Sequence, residues 1–204
     1  MMKKELPYFW IGNYYGGYQP WFKDFMMKIG GCAAVAACDS CIFLELHKGM
    51  QGLYPFAVSS LGKEEYIQFA MRMKPYLRPR LGGIDRLSIY TEGFGNYLYD
   101  QGVTGLVMEE YPGDRDWKAA AVKVQEQIDS GFLIPFLTLK HKDHTFKNYT
   151  WHWYLVTGYE WQGGRLMVKA VTYNCQKWLD FEKLWDTGYE KKGGMILYHE
   201  RGER

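Results

Sequence analysis

A chain of 204 residues suits one domain, residues 1–204, and its 47% apolar content is enough for a full core. The balance of 25 basic and 23 acidic side chains, net charge +2, lacks the basic stripe of an electrostatic nucleic-acid binder. No stretch reaches transmembrane length, so no membrane partner is expected.

In chain order, the opening Met1-Met2-Lys3-Lys4-Glu5-Leu6-Pro7 starts like a signal peptide. It has neither the apolar run nor the small-residue cleavage site that would complete one. Residues 8–31 have loop composition, rich in Gly, Tyr, Asn and Trp. Residues 32–47 are Ala-, Cys- and Leu-rich and apolar nearly all round, which predicts a buried helix. A loop at 48–62 leads to an amphipathic helix at 63–74, stopped by Pro75. A weaker helix at 85–101, a short strand at 103–109 and a clear surface helix at 116–130 follow, the last ended by Gly131. Strand-like runs at 132–140, 151–160 and 165–174, a short helix at about 180–187 and a strand at 194–199 complete the chain. Helices first and antiparallel strands later predict an α+β fold.

Two remote segments carry the chemistry. In Gly30-Gly31-Cys32-Ala33-Ala34 a thiol stands where a Gly-Gly loop enters a small-residue helix. There the positive end of the helix dipole favours thiolate. In His152-Trp153-Tyr154-Leu155-Val156-Thr157-Gly158-Tyr159 a histidine opens an apolar strand and could hold the proton. Among the other histidines, His141 and His144 sit in a polar loop and His199 lies near the C-terminus. His47 ends the nucleophile helix, well over ~10 Å from its start.

Both segments resemble the papain-like cysteine peptidase superfamily, most closely its bacteriocin-processing, C39-like branch. That resemblance implies a papain-like fold, with a buried N-terminal nucleophile helix packed on an antiparallel sheet. It implies Cys32 as nucleophile and His152 as base. The family commonly has Gly directly after the cysteine, where this chain has Ala33. Its oxyanion glutamine often lies about six residues upstream, whereas the nearest here, Gln19, is thirteen residues before Cys32.

A third group must orient the base. If Gln162-Gly163-Gly164 is a three-residue hairpin loop, Trp161 pairs with Arg165 and His152 faces Asn174. A two-residue loop would pair His152 with Tyr173 and turn Asn174 to the other face. Asp180 is the fallback carboxylate. For the oxyanion, the Cys32 backbone N–H is one donor and a loop amide, Gln19 or Asn13, a second; the resemblance favours Gln19.

Cys38-Asp39-Ser40-Cys41 matches C-x-x-C. The pair lies inside a helix and lacks a second ligand pair at zinc spacing, so neither metal nor cofactor is expected. Three of the four cysteines in one helix make a poor disulfide framework, and reduced thiols in a cytoplasmic protein are the simpler expectation. The expected activity is a thiol-dependent hydrolase or peptidase on a peptide or small acyl substrate. An acyltransferase using the same thiol, or a catalytically silent binding module, stand as alternatives. The sequence does not set the oligomeric state.

Overall fold

The computed structural model describes residues 2–202. Its chain runs β1 (Lys3–Glu5), β2 (Trp10–Ile11), β3 (Tyr14–Tyr15), a 3-10 turn (Gln19–Trp21), α1 (Phe25–Gly30) and α2 (Cys32–Lys48). Then come α3 (Lys63–Met73), α4 (Leu87–Asp100), β4 (Leu106–Pro112), α5 (Trp117–Asp129) and β5 (Ile134–Thr138). The last elements are β6 (His152–Gln162), β7 (Arg165–Thr172), β8 (Cys175–Asp180), α6 (Phe181–Trp185) and β9 (Gly194–Glu200). The fold is therefore α+β, with a seven-stranded antiparallel sheet in the order β4-β9-β5-β6-β7-β8 and β1 added to β6. Among the described residues, no helix is long and apolar enough to cross a membrane.

The sequence left α1, β1, β2, β3 and β8 unread, the first hairpin and α1 falling in the 8–31 stretch expected as loop. Residues 25–30 are too few to show a helical period, yet Asp24 caps them by accepting from the Met27 N–H. β8 is polar and edge-exposed, so it carries little apolar alternation.

Helix α2 is the pivot. Ala33, Ala34, Ala36, Ala37, Cys38 and Ser40 are all buried, and their small side chains let the helix lie close against β5 and β6. Gly31 serves both α1 and α2, closing one by donating to the Met27 carbonyl and standing at the N-cap of the other. A Cβ there would collide with the Met27 carbonyl. α2 ends at Gly49 in the left-handed region (φ 67), donating to the Leu44 carbonyl. α5 also packs on β5 and β6, through Ala120, Ala121, Val124 and Ile128 at helical spacing. β6, buried from His152 through Glu160, is covered on both faces.

Register matters at one place. The β6–β7 hairpin turns through two residues, Gly163 (φ 56) and Gly164 (φ 81), with Gln162 opposite Arg165. Two positive-φ glycines give the tight turn that suits strand twist. The three-residue loop is not what forms. A bulge then intervenes: Val156 pairs Ala170 and Tyr159 pairs Val168, so Thr157 and Gly158 together face Lys169. Beyond it Leu155 pairs Val171, which restores the count expected from the longer loop.

Candidate functional site

Four segments remote in sequence meet around one small cavity. Its walls include Tyr15, Gly17 and Gln19 from the N-terminal loop and Cys32, Val35, Ala36 and Asp39 from α2. His152 through Leu155 from β6, with Val171, Thr172 and Tyr173 from the β7 end, close it. The α2 residues fall at i, i+3, i+4 and i+7, so they form one stripe along the helix. The cavity measures about 20 Å3, room for a water molecule and little more.

Cys32 is the first residue of α2 and is 5% exposed. Burial pushes its thiol up, against the backbone N–H groups of Trp153, Ala33 and Cys32 itself, which favour thiolate. The sulfur thus lies against the backbone of the residue that follows His152. His152 opens β6 and is also buried; burial pulls its imidazole down from 6.5 to about 3. Thiol and imidazole are both neutral at rest, and no hydrogen bond joins them among the described residues.

The imidazole is held by other groups. Nε2 hydrogen-bonds Thr172 Oγ1 at 2.6 Å. The Tyr173 ring stacks on the imidazole with centroids 4.4 Å apart and planes within 5°. The Tyr173 hydroxyl is 3.3 Å from Nδ1. Because the rings are parallel, that oxygen sits over the imidazole and not in its plane. It cannot take the in-plane lone pair or hydrogen of Nδ1. Burial, and then the neighbouring Cys32 thiol, push the Tyr173 hydroxyl up to about 12.

Asn174 does not reach the imidazole. By count it stands opposite His152, but β7 ends at Thr172, and Tyr173-Asn174 form the turn into β8, with Thr172 paired to Cys175. Both turn residues are left-handed, φ 50 and 58. Asn174 Oδ1 accepts from the Tyr15 N–H at 2.6 Å, tying the turn to the N-terminal hairpin. The diagonal neighbour Thr172 holds the ring instead. The fallback Asp180 caps α6 by accepting from Lys183 and is not part of the site.

Gln19 lines the cavity, 8% exposed, and one Nε2 hydrogen goes to the Lys28 carbonyl in α1 at 3.0 Å. Among the described residues, the Lys28 carbonyl is the one hydrogen-bond partner of that amide nitrogen.

Asp39 was passed over as part of the C-x-x-C run. It is the one acid on the buried stripe of α2. It accepts from Tyr8 (2.7 Å), Tyr66 (2.7 Å) and the Gly17 N–H (3.1 Å). Burial raises its carboxyl from 3.8 to about 6 despite these three donors. It thereby holds the Gly16-Gly17 loop that carries Gln19. A Cβ at Gly17 would strike the Tyr66 hydroxyl. A carboxylate at i+7 from Cys32, in the apolar N-terminal stretch of the helix, was the signal available in the sequence.

Cys38 and Cys41 are fully buried and Cys175 is exposed; all four thiols are free. Among the described residues, no three His, Cys, Asp or Glu side chains cluster to hold a metal ion. Comparison with protein-family models, curated proteins and solved structures found no match.

Proposed function

We propose that this chain is a thiol-dependent hydrolase or peptidase on a papain-like fold, acting on a peptide or small acyl substrate. The observation that carries the reading is that Cys32, His152 and Gln19, 120 and 13 residues from one another along the chain, line one cavity at the mouth of a buried helix. Thr172 takes the orienting part. With Nε2–H donated to Thr172 Oγ1, the Nδ1 lone pair is free to take the Cys32 proton. The thiolate then attacks the substrate carbonyl carbon, and the oxyanion meets the N–H groups at the start of α2 and the Gln19 amide. The imidazolium returns its proton to the leaving amine or alcohol, leaving a thioester on Cys32. Water, deprotonated by His152, releases the acid and restores the thiol. An amine in place of water would make the same site an acyltransferase.

A second reading, a catalytically silent binding module, is favoured by the neutral resting state of both groups. A 4-nitrophenyl acyl ester separates the two. In a Cys175→Ser background, mass spectrometry should find the acyl group on Cys32, and wild-type turnover should exceed that of His152→Ala. A Cys32 that never acquires the acyl group in the folded protein would overturn the hydrolase reading.

A further inference from the structure

We propose that Tyr173 is a lid on the thiol–imidazole site, closed at rest by stacking on His152 and displaced by the incoming substrate. The inference rests on the thiol reading above and adds how that site is opened.

The closed volume demands a moving wall. About 20 Å3 admits one water, whereas a bound acyl compound needs a cleft of roughly 300 Å3 or more. Most of the walls cannot leave. The α2 stripe and β6 are core, and Tyr15 and Gln19 are each under a tenth exposed. Tyr173 is different: 44% of its surface already faces solvent, so it can leave with little loss of packing, and its departure opens the cavity that both Cys32 and His152 line.

Its backbone points the same way. A two-residue turn with both residues at positive φ favours Asn and Gly. Asn174 fits that rule, and a tyrosine at φ 50 does not. A half-exposed aromatic ring in a strained position contributes little to the core. What it does accomplish is to cover the face of His152 and close one wall of the cavity that Cys32 lines. The Asn174–Tyr15 hydrogen bond pins the base of the turn, so the ring can swing while the hairpin stays in place.

Closure also accounts for the idle chemistry. Burial is the first cause of both shifts, upward on Cys32 and downward on His152. Moving the ring aside admits solvent and relaxes both toward the values at which a proton passes from sulfur to nitrogen. The closed form keeps the thiol from adventitious alkylation and oxidation.

The test measures access, not turnover. In a Cys175→Ser background, Cys32 is the one thiol near solvent, because Cys38 and Cys41 are fully buried. Tyr173→Ala should speed alkylation of Cys32 by iodoacetamide about tenfold, and by a bulkier aromatic disulfide more, as the open fraction rises. Tyr173→Phe keeps the ring and should react as wild type does. Asn174→Gly, which suits the left-handed turn but frees its base, should give an intermediate rate. Equal rates for wild type and Tyr173→Ala, with near-ultraviolet circular dichroism showing both folded, would overturn the lid. If Tyr173→Ala misfolds, Asn174→Gly decides, and a wild-type rate there overturns it equally. Acceleration that persists unchanged in Tyr173→Ala/His152→Ala would leave the lid standing and remove the base from the thiol reading. His152-dependent acylation in wild type with no effect of Tyr173→Ala would do the reverse.

Discussion

Replacing Asp39 by Asn should stabilise the protein above about pH 6 and change the shape of its pH profile. The buried carboxyl titrates near 6, against 3.8 when free. Between those values the folded chain holds a proton that the unfolded chain has released, so stability falls as pH rises. About two units at ~1.36 kcal/mol each make the penalty about 3 kcal/mol at neutral pH. His152 acts in the opposite sense, at about 3 when folded and 6.5 when free. Below 6.5 the unfolded chain takes up a proton that the folded chain refuses, so stability rises with pH. From about pH 4 to 6 the two slopes oppose and nearly cancel. Asn at position 39 can satisfy the same partners: its oxygen accepts from the Gly17 N–H and Tyr66, and its amide donates to the Tyr8 oxygen. The variant should therefore show the uncompensated rise from His152 and end about 3 kcal/mol above wild type at neutral pH. Asp39→Ala should instead lose about 3 kcal/mol, since it leaves three donors without an acceptor. Urea denaturation followed by circular dichroism, at unit steps from about pH 4 to 7.5, reads both. An Asp39→Asn profile parallel to wild type across this range would refute the reasoning, because it would mean that the carboxyl is ionised in both states.

Three further outcomes are expected. Thr172→Val should cost about 1–3 kcal/mol at neutral pH by leaving His152 Nε2 unpaired, and Thr172→Ser should restore it; thermal denaturation compares the two. Gln127 clamps the backbone of Tyr198, donating to its carbonyl at 3.0 Å and accepting from its N–H at 2.8 Å where β9 has left β5, so Gln127→Leu should lose about 3 kcal/mol in urea denaturation. Gly193→Ala should cost about 3 kcal/mol, because its Cβ would run into the Leu137 carbonyl; unchanged stability would show that the β5–β9 crossing yields more readily than its geometry implies.

The long elements were legible because their burial follows a period. α3 and α5 each bury one face, and α2 announces itself by small apolar residues on every side. The positions of Cys32 and His152 were legible for a related reason: each stands at the first residue of its element, where composition changes abruptly. The partner of His152 was not. It depended on the length of one turn, on a bulge that no composition announces, and on where β7 stops. The three-residue loop behind the expected His152–Asn174 pairing does not form; the bulge offsets the shorter turn, and Asn174 falls in a turn where its side chain holds Tyr15 instead. Asp39 was hidden by the cysteines on either side of it, whose spacing suggested a motif that the burial of both thiols does not use.

The extra residue at Thr157-Gly158 means that the place of the imidazole is written in a length and not in an identity. If both residues were kept but β6 were forced into plain register from the Gly163-Gly164 turn, every side chain from Val156 back to His152 would slip by one and move to the opposite face of the sheet. The histidine would still be present, and the sheet could still pair, yet the ring would point away from Cys32. An engineer who straightens the strand to improve the sheet would erase the site without altering one of its residues.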